Sequence, residues 1–479
     1  MNSRRNDIAD PAVETCAWLS QHMVYLEWLE QKHGLLWIKG KPGAGKSTLM
    51  RHAVVMIEKQ ERQANLIVAS FFFHGRGSLI QKSPLGLFRS LLHQLLQQIP
   101  RLLLLFSSLF EKRCETEGAF GTAWDWKERD LQDFFKHNVT DSARIRLYID
   151  ALDECGEENA IKLVDYFDSI TSGSNVVDAS LSICFSCRHY PLVSRDDGLQ
   201  VCVEDETNED IQVYIQNAMW RQIRDKSGAD EARDEIVSKS HGNFQWVVLV
   251  VPRVLQMCKK GRYREMKKII QAIPSDLGEL YKSLLEEVTD DDLPRTLKLM
   301  QWICFAQEPL SLEELRIATV VDMNTTYRSI RECQEDEQYA DTDEEMARRV
   351  VDLSKGLAEV REHNGKQVAQ FNHQSVNDYV LDGGLQILEK LPSGSAAGRA
   401  HFQLSRSCIR YINMEEIMAC WVEPFSEYLY EDRKKLKKDL RGKFPFLRYA
   451  VQSWIPHAQG VEKESLSQED LLSYFQEPS

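Results

Sequence analysis

The stretch from Leu35 to about Gln63 limits what this chain can fold into more than any other. The apolar run Leu35–Lys39 leads directly into Gly40-Lys-Pro-Gly43-Ala-Gly45-Lys46-Ser47, and a helix is predicted from about Ser47 to Gln63. The loop satisfies G-x-x-x-x-G-K-[ST] at every position, between a strand and a helix as that motif requires. Its glycines let several backbone N–H groups converge on one phosphate. The helix that follows presents its positive N-terminus to the same anion. Lys46 reaches the β- and γ-phosphates, and the Ser47 hydroxyl is placed to ligate Mg²⁺. Gly40, Lys41, Pro42, Gly43, Ala44, Gly45, Lys46, Ser47 and Thr48 are therefore the expected nucleotide-binding residues, with ATP or ADP and Mg²⁺ as the ligands.

Further strands are predicted at Asn65–Phe73, Arg146–Ile149, Leu181–Phe185 and Leu199–Val203, with helices between them, among them Leu85–Ile99 and Asp130–His137. Nearly continuous apolar strands alternating with helices indicate a parallel α/β sheet with right-handed crossovers. The third strand ends in Ile149-Asp150-Ala-Leu-Asp153-Glu154. An acid at the carboxyl end of such a strand can hold Mg²⁺, which assigns Asp150 and Ser47 to the metal. Asp153 and Glu154 follow where a carboxylate can orient a water beside the γ-phosphate. The fourth strand runs into Ser186-Cys187-Arg188, again at a carboxyl end, where open α/β sheets bind ligands. Position alone leaves Arg188 as either a γ-phosphate sensor or a surface arginine. Cys184 and Cys187 form a C-x-x-C that reads as strand coincidence, because no second pair or His cluster follows at zinc spacing.

The chain has 479 residues and a net charge of −14, which argues against a general nucleic-acid or anionic-membrane coat. Eight acids lie between Glu332 and Glu345, expected to form a solvated loop. Eleven cysteines without a pattern point to a reduced, cytoplasmic setting. No apolar run approaches the ~20 residues of a membrane span. A single amphipathic helix is predicted over 11–32, packing on the nucleotide domain and ended by Gly34. After Asp210 the strand pattern gives way to helices, with Pro274 as a break. A capping box, Ser311-Leu-Glu-Glu314, starts another helix. Asn364-Gly365 between two apolar runs is a hairpin signal, and helices followed by one hairpin suggest a winged helix.

Several segments resemble the NACHT-type STAND NTPases of filamentous fungi, relatives of NOD-like receptors. They are Leu36–Met50, Ser70-Phe-Phe-Phe73, Ile149–Cys155, Ser186-Cys-Arg188, Ile273–Tyr281, Pro309–Leu315 and Phe371–Tyr379. The resemblance implies an ATP/ADP switch that controls self-association in self/non-self recognition or cell death, with slow hydrolysis at most. It implies a Walker B role for Asp150 through Glu154 and a sensor role for Arg188. It also implies that His373, in F-x-H-x-S, holds the β-phosphate of ADP; the alternative is a packed or capping histidine. Gly242-Asn-Phe244 stands where many relatives carry G-x-P.

The expected organisation is an N-terminal helix over 1–33, a P-loop NTPase domain with a five-stranded, mainly parallel sheet over 34–206, a helical domain over 207–290, a winged helix over 291–392 containing the acidic loop, and a helical region over 393–479. No ligand-sensing repeat or effector segment is visible in the sequence, so those partners stay unknown. Two rival functions remain. One is a continuously turning-over ATPase or kinase, although no guanine-reading N-K-x-D or recognisable acceptor lid is present. The other is a winged-helix nucleic-acid binder using Arg433–Lys438, Arg441 and Lys443, which the acidic run would oppose.

Overall fold

The computed structural model describes residues 3–60, 66–75, 77–139, 144–171, 180–189, 199–219, 226–259, 266–322, 326–363, 365–390, 394–421, 439–440 and 442–471. The chain forms two compact units, Met1–Ile273 and Pro274–Ser479, divided at the predicted proline break.

The first unit contains β1 (Gly34–Lys39), β2 (Leu66–Phe72), β3 (Arg144–Asp150), β4 (Ser180–Cys187) and β5 (Leu199–Cys202). They pair in the order β2-β3-β4-β1-β5, and every pairing is parallel. The predicted α/β sheet is therefore present, with β4 between the P-loop strand and the acidic strand. Its helices are α1 (Ser3–Asp7), α2 (Met23–Glu30), α3 (Lys46–Gln60), α4 (Pro84–Gln98), α5 (Pro100–Glu117), α6 (Glu128–Asn138) and α7 (Glu157–Thr171), then α8 (Val203–Glu206), α9 (Asn208–Met219), α10 (Lys226–Ser240), α11 (Phe244–Lys259) and α12 (Met266–Ala272).

Side chains alternate across a strand, so the sheet feeds two cores. Trp37, Leu147, Ile183 and Phe185 pack with Leu87, Phe88, Phe135 and Phe167 of α4, α6 and α7. Leu36, Ile38, Tyr148 and Cys184 pack on the other face with Met50, Val54 and Ile57 of α3 and with Tyr25 and Trp28 of α2. The same alternation settles the C-x-x-C: Cys184 belongs to one core and Cys187 to the other, and both are free thiols.

The single helix predicted over 11–32 is not formed. Glu14 and Cys16 adopt left-handed backbone, with φ of 68° and 65°. A 3-10 turn occupies Ala17–Gln21, and His22 is extended before α2. Tertiary hydrogen bonds override the periodicity: Asp210 Oδ2 accepts from the Cys16 N–H (2.8 Å) and from the Trp18 indole (3.1 Å). Gly34 does not cap α2, which closes at Gln31; it opens β1 instead.

The second unit contains α13 (Leu277–Glu286), α14 (Leu293–Phe305), α15 (Leu312–Ala318), α16 (Ile330–Gln334) and α17 (Asp343–Leu353), then the hairpin β6 (Ala358–His363) and β7 (Lys366–Phe371). α18 (Gln374–Tyr379), α19 (Leu385–Glu389), α20 (Ala396–Ile412), α21 (Glu415–Met418) and α22 (Leu447–Lys463) complete it. The capping box at Ser311 and Glu314 forms as expected. The hairpin pairs antiparallel with His363 opposite Lys366, and Gly365 takes φ 75° in the turn. The acidic stretch is not one loop. Glu332 lies in α16, while Asp343, Glu344 and Glu345 form the first turn of α17, capped by Thr342. Acids favour a helix N-terminus because they oppose its dipole. The segment Arg433–Lys438 and Arg441 lie outside the described residues.

Packing of α20 on α22 buries a polar chain. The Gln307 N–H donates to the Tyr449 hydroxyl (3.1 Å), which lies 2.9 Å from His457 Nε2; His457 Nδ1 is 2.9 Å from His401 Nδ1. Two neutral arrangements satisfy all of these: Tyr449 donates to His457 and His457 to His401, or His401 donates to His457 and His457 to Tyr449. Burial, with His401 alongside, pushes His457 down to about 3. The unfolded chain then binds the proton more readily, so stability falls as pH drops below the unfolded value near 6.5, by up to ~1.4 kcal/mol per pH unit. Urea unfolding of wild type and His457→Gln at pH 7.5 and 5.5 should give a shallower pH slope for the variant; equal slopes would remove His457 as the cause.

Candidate functional site

Parallel pairing places the ends of all five strands on one edge, and the predicted residues of the first unit collect there. The loop from Gly40 to Ser47 joins β1 to α3. Gly43 and Gly45 hold φ of 87° and 96°, the left-handed backbone that the loop's turns require. Lys46 Nζ folds over the loop and donates to the carbonyls of Gly40 (2.7 Å) and Lys41 (2.8 Å). Burial lowers the Lys46 pKa, while Asp153 and Asp150 pull it back up. The amine is therefore bound to the loop and lies within the electrostatic reach of Asp150 and Asp153.

Asp150 ends β3 and is 1% exposed. Its Oδ1 accepts from the Ser186 hydroxyl (2.5 Å) on β4, and its carboxylate also hydrogen-bonds Ser47. Burial raises its pKa against those bonds and against the charges of Arg4 and Lys46. A hydroxyl beside a buried carboxylate is the oxygen pair that a hard dication takes, so Ser47 and Asp150 fit Mg²⁺. Bound there, the ion would neutralise phosphate charge.

Ala151 then adopts φ 53°, a left-handed conformation that costs a non-glycine residue ~1–3 kcal/mol and marks a constrained turn. Its N–H donates to Ser186 Oγ (2.9 Å), so one serine supports both sides of the turn. The turn carries Asp153 to Arg188. The Arg188 Nε lies 3.0 Å from Asp153 Oδ2, and the Arg188 N–H donates to Asp153 Oδ1 (3.2 Å). Glu154 turns to the end of β2, where its Oε2 accepts from the Gly75 N–H (2.6 Å). Burial raises Glu154 to about 7, with Gly75 and Arg4 opposing and Asp153 and Asp150 reinforcing the shift. One edge thus gathers a lysine, a metal-type acid, an acid whose pKa burial raises and an arginine held by a carboxylate.

His373 belongs to the second unit. It caps α18, its Nδ1 accepting from the Ser375 N–H (3.1 Å) and lying 2.7 Å from Ser375 Oγ; that hydroxyl is 2.8 Å from the Tyr281 OH.

Several contributors escaped the sequence. The Asn243 amide donates to the Pro42 carbonyl (3.1 Å), and the Gln245 N–H to the Gly43 carbonyl (2.9 Å). The Gly242-Asn-Phe244 segment therefore braces the phosphate loop by hydrogen bonds. A Cβ on Gly43 would lie 2.6 Å from Asn243 Oδ1, so this approach depends on glycine. Glu204 Oε2 accepts from the Lys41 N–H (3.3 Å). Arg4 of α1 adds positive charge near Asp150 and Glu154. Ser186 alone had a local signal, a hydroxyl two residues before Arg188.

Residues 14–188 match the protein family described as nephrocystin 3, N-terminal. Over 387 residues, 77% of this chain, the sequence is 24% identical to vegetative incompatibility protein HET-E-1 of Podospora anserina, covering 26% of that protein. Over 225 residues, 46% of this chain, it is 24% identical to azaphilone pigments biosynthesis cluster protein L of Monascus ruber, covering 43% of that protein. The match thus spans under half the length of either relative. A solved STAND protein with a tetratricopeptide repeat sensor from Pyrococcus horikoshii aligns over 92% of this chain and 53% of its own, at 12% identity and a TM-score of 0.38. The family model and the two fungal relatives support the resemblance to fungal NACHT-type STAND NTPases that the motifs carry.

Proposed function

We propose that this chain is an ATP/ADP-dependent signalling switch of the NACHT type, which binds Mg²⁺-nucleotide at the edge just described and self-associates in its ATP-bound form. The observation that carries this is the meeting of Lys46, Asp150, Asp153, Glu154 and Arg188 at the carboxyl ends of one parallel sheet. Gly40 through Thr48 cradle the phosphates, and Ser47 and Asp150 take the metal. Glu154 orients a water for slow hydrolysis. Arg188 suits a sensor because its partner is a carboxylate: a γ-phosphate offers the same kind of charge-assisted bond, so the guanidinium can exchange one anion for the other. The likeness to a vegetative incompatibility protein favours a role in self/non-self recognition or regulated cell death.

The finer part of the proposal gives the second unit the role of reader, with the β6–β7 hairpin as the wing of a winged helix. His373 supplies a contact to the β-phosphate of ADP. A domain biases a switch only through contacts that differ between its states. Losing such a bond costs the closed state ~1.5–3 kcal/mol, enough to bring a 99:1 closed population to roughly 10–60% open.

The test is the nucleotide that co-purifies with the protein, its turnover, and the mass distribution by light scattering, for wild type and His373→Ala. Bound ADP and near-stoichiometric hydrolysis are expected for wild type. The variant should bind ADP more weakly relative to ATP and shift to larger species. Sustained rapid turnover would point to a dedicated ATPase instead. Unchanged affinities and mass in His373→Ala would leave the residue as the cap of α18 and nothing more.

A further inference from the structure

Beside the phosphate loop lies a cluster that the nucleotide chemistry does not use. β4 and β5 flank β1 on its two sides. Shortly beyond the end of β4 stands His189; β5 ends at Cys202, and Glu204 follows in α8. The ligand atoms of these three side chains all lie within 4.8 Å of one another, the one such convergence of His, Cys, Asp or Glu among the described residues. His189 Nε2 is 2.6 Å from Glu204 Oε1. The side chain of Glu204 is 9% exposed and that of His189 is 36% exposed, so the cluster is walled on one side and reachable on the other.

We propose that His189, Cys202 and Glu204 form a binding site for Zn²⁺, one that sits against the phosphate loop and steadies it. Imidazole nitrogen, thiolate and carboxylate are the three donor types that zinc takes from proteins, and three protein ligands leave a fourth position open. Bonds of ~2.0–2.3 Å around one ion place tetrahedral ligands roughly 3.3–3.8 Å apart, so side-chain rotation of about an ångström closes the set. In that movement the proton on His189 Nε2 passes to Nδ1 by tautomerisation, the hydrogen bond to Glu204 Oε1 is given up, and each of the two atoms turns a lone pair to the metal. Cys202 loses its proton to solvent, one per ion bound.

The surrounding charge favours a cation. Glu204, Asp205, which hydrogen-bonds the Cys202 thiol, and the thiolate itself outweigh Lys39, the register partner of Cys202 on β1. Zinc binds the thiolate and the unprotonated imidazole, so it competes with protons for the site and affinity rises with pH.

The link to the loop runs through the other carboxylate oxygen. Glu204 Oε2 accepts from the Lys41 N–H (3.3 Å), and a Cβ on Gly40 would come within 2.8 Å of it. Fixing Glu204 on a metal holds that acceptor in place, as an outer-shell partner would be held. The site is thus a clasp across the entrance of the loop, made from the two strands that border β1. Metal binding does not depend on the nucleotide proposal; only the coupling does.

The full chain is titrated with Zn²⁺ against a chromophoric chelator, and separately with Co²⁺ under an absorption spectrophotometer. One equivalent of Zn²⁺ should bind, more tightly at pH 8 than at pH 6.5. His189→Ala and Cys202→Ser should each lower affinity by more than the ~10- to 100-fold that loss of an outer-shell partner costs. Co²⁺ should give a thiolate charge-transfer band that Cys202→Ser abolishes and that Cys420→Ser, at an exposed cysteine, leaves intact. Should Cys202→Ser fail to fold by circular dichroism, Cys202→Ala and His189→Gln carry the same reading. Absence of stoichiometric binding, or binding and a band that survive the Cys202 and His189 variants, overturns the site. Bound zinc with no change in ADP affinity overturns the coupling and leaves the site standing.

Discussion

Lys46→Ala is expected to lower affinity for both ATP and ADP by about 10- to 150-fold, the equivalent of one charge-assisted hydrogen bond of ~1.5–3 kcal/mol. The side chain also ties down the loop through the carbonyls of Gly40 and Lys41. The thermal midpoint of each protein without nucleotide therefore has to accompany the calorimetry. A small change in midpoint with a large loss of affinity separates phosphate recognition from loop support. Equal nucleotide affinity for wild type and variant would reject the phosphate site altogether.

Glu154→Gln should keep ATP bound and slow turnover by ~10²- to 10⁴-fold, the usual worth of a positioned acid or base. The amide retains an oxygen for the Gly75 N–H, so the geometry at the end of β2 is preserved while the charge is lost. Glu154 is raised to about 7 by burial, and only its carboxylate form can take a proton from water. Single-turnover hydrolysis by wild type should therefore rise as pH passes through about 7 and level off above it. In the variant the remaining slow reaction should lack that rise. Hydrolysis at the wild-type rate in Glu154→Gln would move the water-orienting role elsewhere, with Asp153 the next residue to test. Asp153 is engaged on two sides by Arg188, through Nε and through the N–H, which suits it to latch the guanidinium.

The charge environment explains why the acids differ. Asp150 is fully enclosed and held by Ser186 and Ser47, both hydroxyl donors that favour its ionised form against burial. Glu154 has one backbone donor and two acidic neighbours, and burial raises it to about 7. Burial raises both carboxyls, but their partners differ: hydroxyls that can share a metal beside Asp150, a single backbone N–H beside Glu154, a division that suits metal binding on one and proton transfer on the other.

What the sequence determined was whatever depends on neighbours along the chain. The motif Gly40–Ser47 needs only its own glycines, the strand before it and the helix after it, and all three stand between Gly34 and Gln60. The β-strands carry apolar runs long enough to be recognised singly, and the acids at 150, 153 and 154 follow one of them directly. The capping box at Ser311 and the left-handed turn glycine Gly365 are likewise local chemistry; Asn364 lies outside the described residues. The tertiary structure decided whatever rests on residues distant in sequence. The periodicity over 11–32 promised one helix, yet Asp210, nearly two hundred residues away, captures the Cys16 and Trp18 N–H groups and breaks it. Asn243 reaches Pro42 across 201 residues, and His189 meets Cys202 and Glu204 because strand order sets β4 and β5 on either side of β1. The acid-rich stretch looked like solvated loop by composition, but Thr342 caps a helix there whose dipole its acids stabilise. Local motifs are written in a few φ/ψ preferences and one side-chain pattern; a hydrogen bond across two hundred residues becomes visible only after the chain has paid the entropy of closing that loop.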